Sequence, residues 1–230
     1  MLDAHVVKRR RDFVVDVAIQ APHGSSLAVF GASGAGKSSV LSCLAGIEEP
    51  DDGFVRLGDM RLFPPSLPLY ARPIGYMTQE TNLFPHLSVA ENVRFSANGD
   101  PRDREWIAEL RDRLQLAPIW AASAASVSGG QARRVALARM LARRPALVLL
   151  DEPFAGLDRH IVRGLLEDIR NWQARLGFSL IVVDHQVQIL ESLCARAIVL
   201  ESGRVVQSGA WAELHREPAT SLLAQLLEPL

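Results

Sequence analysis

Cysteine is scarce in this sequence: Cys43 and Cys194 are the two among 230 residues. Both sit in apolar, helix-like contexts, which excludes a disulfide scaffold and reads as buried, reduced thiols in a cytoplasmic setting. An excess of charge of one sign is also missing. Lys and Arg number 25 against 26 Asp and Glu, for a net charge of −1. That balance excludes a general electrostatic footprint for nucleic acid. The basic run Lys8-Arg9-Arg10-Arg11 reads as a solvated edge. No apolar run reaches the roughly 20 residues of a membrane span. The N-terminal stretch MLDAHVVKRRRDF lacks the apolar core of a signal peptide. There is no internal repeat and no low-complexity tract. What is abundant is apolar residues, 48% of the chain, enough for the core of one α/β domain.

Against that background one stretch stands out. Gly31-Ala32-Ser33-Gly34-Ala35-Gly36-Lys37-Ser38-Ser39 follows an apolar run, Ser26 to Phe30, that reads as a buried strand. It precedes a helix-like run from Val40 to Ala45. Strand, glycine loop and helix together match the phosphate-loop pattern GxxxxGK[ST]. The glycines permit positive φ and a close backbone approach to phosphate oxygens. Successive N–H groups then face inward, and the helix presents its positive end to an anion. In this pattern Lys37 reaches the β- and γ-phosphates and the Ser38 hydroxyl holds Mg²⁺.

The remaining pattern predicts an α/β fold. Phe13 to Ile19 reads as a strand, Phe54 to Gly58 as an edge strand, and Ile74 to Gln79 as a buried strand ending in a polar residue. Ser88 and Glu91 form a capping box at a helix start. Val89 to Ala142 is mainly helical, with breaks at Gly99-Asp100-Pro101 and around Pro118. Ala146 to Leu150 and Ser179 to Val183 are continuous apolar strands, separated by an amphipathic helix from Ile161 to Leu176. Ile198 to Val206 is a hairpin turned at Ser202-Gly203. Continuous apolar strands between helices imply a mostly parallel sheet covered on both faces. The expectation is therefore a phosphate-loop NTPase core with a mostly parallel sheet, a small antiparallel β subdomain, and a helical subdomain inserted over roughly 82–142 as a separate lobe. Residues 1–230 make one domain.

Two further motifs carry chemistry. Asp151 and Glu152 close a central apolar strand, where open α/β sheets place their ligands. Asp151 suits Mg²⁺, directly or through water, and Glu152 suits a general base acting on water near the γ-phosphate. Ser128-Gly129-Gly130-Gln131 opens a basic helix and forms a second candidate anion site. One nucleotide has no use for two such helix ends from distant segments, whereas a second copy packed head to tail would use both.

Val127-Ser128-Gly129-Gly130-Gln131, paired with the phosphate loop, resembles the signature of ATP-binding cassette (ABC) ATPases, with Val127 in place of leucine. The resemblance covers essentially the whole chain. It implies ATP and Mg²⁺ as ligands, with Ser38, Gln79 and Asp151 at the metal. Gln79 resembles the glutamine that touches Mg²⁺ and the attacking water. Phe154 to Asp158 resembles the D-loop, and His185 the switch histidine that contacts the γ-phosphate. The residues beside His185, Asp184 and Gln186, depart from the usual Thr and Asp. The family also stacks adenine on an aromatic residue. Counting back from the phosphate loop, that position falls near Lys8 to Arg10, while Phe13 is expected to enter the core. An arginine would then meet adenine by cation–π contact.

Asn82 to Val93 resembles the same stretch of importer cassettes, most of all those for molybdate, sulfate and thiamine. This implies an ATPase subunit that dimerises around ATP, drives a separate membrane permease, and works indirectly with a solute-binding protein at the cytoplasmic face of the membrane. Leu83 and Phe84 are expected to form an exposed docking patch. With the sequence ending near Leu230, the expectation is a bare motor without the C-terminal regulatory domain that many such cassettes carry. Competing readings are an export or lipid-extraction cassette, or a nucleotide-gated module of DNA repair or translation. The loop at Leu83 argues against the first. The near-neutral charge and the absence of a second cassette argue against the second.

Overall fold

A computed structural model of the chain describes residues 1–97 and 101–227. The chain opens with β1 (Leu2–Arg9), β2 (Val14–Ala21), β3 (Ser26–Phe30) and α1 (Lys37–Ala45), then β4 (Asp52–Leu57), β5 (Met60–Phe63) and β6 (Ile74–Met77). Three helices follow: α2 (Val89–Arg94), α3 (Pro101–Arg113) and α4 (Gly129–Ala142). The second half runs through β7 (Leu147–Asp151), α5 (Arg159–Leu176), β8 (Ser179–Val183), α6 (Val187–Leu193), β9 (Arg196–Glu201) and β10 (Arg204–Ala210). It closes with α7 (Trp211–Arg216) and α8 (Ser221–Leu227).

Among the described residues the strands form one sheet in the order β5-β4-β1-β2-β10-β9-β3-β8-β7-β6. The half from β9 to β6 is parallel, and β5, β4, β1 and β2 pair antiparallel. β2 meets β10 at a single register pair, Asp16 with Arg204.

The period-2 geometry of a strand explains why β3, β7 and β8 read as unbroken apolar runs. Their alternate residues enter two different cores. Ala28, Phe30, Val148, Leu150, Leu180 and Val182 face one buried cluster, under α4, α5 and α6. Leu27, Val29, Leu147, Leu149, Ile181 and Val183 face the other, with α1 and the antiparallel strands. β2, which has one wet face, instead alternates exposed and buried.

Local signals set the element ends. Ser88 caps α2 in the expected capping box with Glu91, and Ser202-Gly203 turns the β9–β10 hairpin at positive φ. Arg72 closes the far end of α1. Its buried guanidinium donates to the carbonyls of Leu44, Leu62 and Leu67, so the cation sits at the negative end of that helix.

The inserted helices do not enclose a core of their own. Trp106, Leu110 and Val135 belong to the same buried cluster as Leu150 and Trp172. Trp106 meets Trp172 edge-on, with ring centroids 5.6 Å apart. The expected separate lobe is thus cored together with one face of the sheet, because aromatic side chains from α3 and α5 interdigitate. The expected break at Gly99 and Asp100 lies outside the described residues.

Candidate active site

Four parallel strands deliver their carboxyl ends to one edge of the sheet, and the site is built there. β3 leads into Gly31, β6 into Gln79, β7 into Asp151 and Glu152, and β8 into Asp184 and His185. The loop and these ends enclose a cavity of about 370 Å³, lined by Ser33, Gly34, Gly36, Lys37, Ser38, Ser39, Gln79, Glu152 and His185.

Two glycines of the loop are required by its shape. Gly31 lies at φ 145, and a Cβ there would stand 2.2 Å from the Leu200 carbonyl oxygen of β9. Gly36 caps α1 in the left-handed region at φ 100 and lies against Phe13 and Val15. Ala32 and Ala35 complete the turn, with the Ala35 N–H donating to the Ala32 carbonyl.

Lys37 is buried, and its Nζ donates to the carbonyls of Gly31 at 2.7 Å and Ala32 at 2.8 Å. Burial holds its pKa below the usual lysine value, partly offset by the nearby charges of Glu152 and Asp151. The ammonium is thus kept folded over the loop by neutral acceptors, which an anion would replace with stronger charge-assisted bonds.

Asp151 is also buried, and desolvation pushes its carboxyl pKa upward against hydrogen bonding from Ser38 and the charge of Lys37. Its Oδ2 accepts from the Tyr76 hydroxyl at 3.5 Å, while Oδ1 is buried without a hydrogen-bond partner. An orphaned carboxylate oxygen costs free energy unless something positive meets it. Tyr76 itself is pushed up to about 12, chiefly by burial. No cluster of three or more His, Cys, Asp or Glu side chains is present among the described residues. The donor set therefore fits a hard cation held by one carboxylate, a hydroxyl and ligand phosphates, as suits Mg²⁺.

Glu152 stands at the centre. Its backbone is left-handed at φ 51, uncommon for a residue with a Cβ. Its N–H donates to the Val183 carbonyl at 2.8 Å. One carboxylate oxygen accepts from Gln79 Nε2 at 3.0 Å and lies 2.5 Å from His185 Nε2. Gln79 and His185 are exposed, so the carboxylate is bracketed at the cavity mouth. Asp184, the departure beside His185, is buried and accepts from the Gln186 N–H at 3.0 Å. Burial pushes its carboxyl upward in pKa.

The signature segment does not line this cavity. Ser128 and Gln131 form a second capping box at the start of α4, Ser128 N–H donating to Gln131 Oε1 at 2.8 Å. Gly130 rests against Leu157 and Gly156 of the loop after β7. Asp158 takes the N-cap position of α5 without a capping hydrogen bond from its side chain.

Two sequence expectations change. Lys8 is tied to Glu49 and Asp51, and Arg10 to Ser39 and Glu48. Phe13, expected in the core, is half-buried: it packs against the edge of one core cluster and also lines, with Arg10 and Arg11, the same cavity as Lys37 and Ser38. β2 pairs with β1 only from Val14 onward, so Phe13 belongs to the hairpin turn that leans over Gly36. Leu83 and Phe84 do not form an exposed patch. Both are half-buried: Leu83 packs on the core, and the Phe84 ring lies 4.5 Å from that of Phe95 and under the Arg139 guanidinium. Among their neighbours, Phe95 is the large apolar side chain that remains exposed, at 65%.

The family model described as ABC transporter matches residues 14–155, more than half of the chain. The chain belongs to the ABC transporter family. It is 39% identical over 218 residues to an Fe(3+) ions import ATP-binding protein of Pseudomonas fluorescens, covering 93% of this chain and 62% of that protein. It is 37% identical to a molybdenum import ATP-binding protein of Mycobacterium tuberculosis, covering 96% of this chain and again 62% of the relative. This ABC chain thus spans a little under two thirds of the length of these relatives. Among solved structures it resembles an ATP-binding subunit of an ABC transporter, with TM-score 0.85, 24% identity and coverage of 98% and 97% of the two chains. It also resembles a dimeric ATP-binding cassette in a post-hydrolysis state with ADP and phosphate, with TM-score 0.79, 23% identity and coverage of 91% and 98%.

Proposed function

We propose that this chain is the ATP-binding and ATP-hydrolysing subunit of a solute importer, working as two identical copies beneath a separate membrane permease. The observation that carries the reading is the Glu152 carboxylate, held between Gln79 and His185 at the mouth of a phosphate-loop cavity. Lys37 leaves the carbonyls of Gly31 and Ala32 for the β- and γ-phosphate oxygens. The loop amides from Gly31 to Ser39 hold the rest of the triphosphate. Glu152 accepts the proton of a water whose oxygen bonds to the γ-phosphorus, and the bond to the β–γ bridging oxygen breaks, leaving ADP and phosphate. His185 and Gln79 orient that water and the γ-phosphate. Ser38, Gln79 and Asp151 would hold Mg²⁺, which would supply positive charge against the phosphate oxygens.

Ser128, Gly129, Gly130 and Gln131 of one copy face the γ-phosphate of the other, with Asp158 beside that contact. The exposed helix start at Ser128 and the dimeric cassette among the similar structures support this pairing. Phe13, rather than an arginine, stacks on the base. Arg10 lines the cavity too, but its guanidinium is engaged by Ser39 and Glu48, which leaves the Phe13 ring for the base.

The permease docks in a groove of about 310 Å³ between β6 and α4, lined by Ile47, Tyr76, Thr81, Ser96 and Met140. Ile47 in its lining is exposed, as is Phe95, the chain neighbour of Ser96. The subunit then lies peripherally at the cytoplasmic face, reached by a solute-binding protein only through the permease. This agrees with the absence, among the described residues, of any helix long and apolar enough to cross a membrane. The import names of both relatives, one for iron and one for molybdenum, support a small solute selected outside this chain.

Phosphate release from the purified chain with ATP and Mg²⁺ tests the reading. Turnover that stops on chelation and in Lys37→Ala supports it, and absence of turnover at any protein concentration refutes it.

A further inference from the structure

Arg133 is the side chain that physically joins the two parts of the site that must agree in position. It lies on α4, two residues beyond the Ser128–Gln131 capping box. Its Nη1 donates to the Glu152 backbone carbonyl at 2.6 Å, and its Nη2 to the Gln79 backbone carbonyl at 3.0 Å. The two acceptors lie 73 residues apart, at the ends of β7 and β6. A planar guanidinium, with several N–H donors in a fixed fork, can hold two carbonyls at a set spacing; a lysine ammonium is a point charge on a flexible stem.

The captured backbone is the one that needs holding. Glu152 is left-handed, a conformation that persists only where the surroundings determine it. Its N–H is fixed by Val183 and its carbonyl by Arg133. With both ends of the residue pinned, the carboxylate is directed to Gln79 Nε2 and His185 Nε2. The same guanidinium pins the main chain of Gln79, so the two polar side chains meet at 3.0 Å because their backbones share one clamp.

We infer that Arg133 is a positioning residue: it sets the backbone of Glu152 and Gln79 relative to each other, and ties that spacing to the helix that begins with the signature segment. It does not line the phosphate-loop cavity, and acts through Glu152. The inference rests on the proposed hydrolytic role of Glu152. Its consequence is that a shift of the start of α4, such as a second copy pressing on Ser128, moves the catalytic carboxylate of its own chain through one side chain.

The test compares wild type with Arg133→Lys and Arg133→Met in steady-state ATP turnover, with binding of a non-hydrolysable ATP analogue measured separately. A misplacement of about 1 Å costs on the order of 10²-fold in rate. The expected result is a kcat lower by about 10- to 100-fold in Arg133→Met, a smaller loss in Arg133→Lys, and analogue affinity within about threefold of wild type. Added guanidinium ion, below denaturing concentration, restores part of the turnover of Arg133→Ala, and sodium at equal ionic strength does not.

Amide hydrogen exchange supplies a readout besides activity. Protection at 79–82 and 152–155 falls in Arg133→Met, while β7 and β8 keep theirs. A kcat within twofold of wild type in Arg133→Met overturns the inference. So does a kcat loss matched by equal losses of analogue affinity and melting temperature. Should the wild type bind nucleotide without turning it over, the hydrolytic reading fails, and unchanged exchange at 79–82 and 152–155 then overturns the clamp as well.

Discussion

Replacing Glu152 by Gln isolates the chemistry proposed for this site. The amide keeps the shape of the carboxylate, and its oxygen still accepts from Gln79 Nε2, now 3.0 Å away. The same oxygen stays beside the ring nitrogen of His185, which lies 2.5 Å from it, and the NH₂ group takes the place of the other carboxylate oxygen. The left-handed backbone and its bonds to Val183 and Arg133 are untouched. What disappears is the basicity and one negative charge. Losing a general base costs roughly 10²- to 10⁴-fold in rate, or about 3–5 kcal/mol of barrier at 1.36 kcal/mol per tenfold. Turnover should therefore nearly stop while the phosphate loop, built from Lys37, Ser38 and the glycine amides, still binds ATP.

Removing the charge also eases the approach of two ATP-loaded copies, so Glu152→Gln should dimerise with ATP more persistently than wild type. Adding Ser128→Arg to that variant should abolish the dimer, because a large cation at the exposed start of α4 blocks the contact. Phosphate release and size-exclusion chromatography, run side by side with Mg²⁺ and ATP, read both halves. A kcat within about threefold of wild type would remove Glu152 from the mechanism. An ATP dimer indifferent to Ser128→Arg would sink the paired arrangement.

Phe13→Ala should weaken ATP binding by roughly 5- to 150-fold, the span of a lost base–aromatic stack of about 1–3 kcal/mol. Calorimetric titration with ATP and with the triphosphate lacking a base checks this, and equal losses for both ligands would contradict base stacking. Phe84→Ala should lower the melting temperature by several degrees, since about 1–2 kcal/mol of aromatic packing on Phe95 and under Arg139 is lost. Phe95→Ser should leave the melting temperature in place and weaken capture of the permease. The reverse pattern in a thermal scan and pull-down would restore Phe84 as the docking residue.

Burial raises the thiol pKa of Cys43 to about 11 and of Cys194 to about 12, from an ordinary value of 9.0. The neutral thiol is thus favoured in the native state, and this contribution to stability is complete below pH 9. Above pH 9 the unfolded chain ionises first, so stability should fall by up to about 1.36 kcal/mol per pH unit and thiol. Urea midpoints from pH 8 to 10 in wild type and the double Cys→Ala variant measure the slope, and identical slopes would refute it.

Features set by neighbouring residues were legible in the sequence. The glycine loop, the strand ends at Asp151, Glu152 and His185, the capping box at Ser88, the helix start at Ser128, and the hairpin at Ser202-Gly203 depend on contiguous backbone chemistry. The continuous apolar runs of β7 and β8 already implied burial on both faces. The structure added what depends on register and on segments distant in the chain. Phe13 reaches the cavity because pairing of β1 with β2 starts at Val14, and a count of residues cannot supply that register. Phe84 is half-buried because Phe95 and Arg139 close over it. The run Ala132-Arg133-Arg134 read as a basic helix face, yet nothing in its own composition tells which arginine turns inward. The carbonyls that Arg133 holds come from two other strands, so only packing could assign it. A helix face carries its charge in its sequence, but the partner of that charge is decided by the fold.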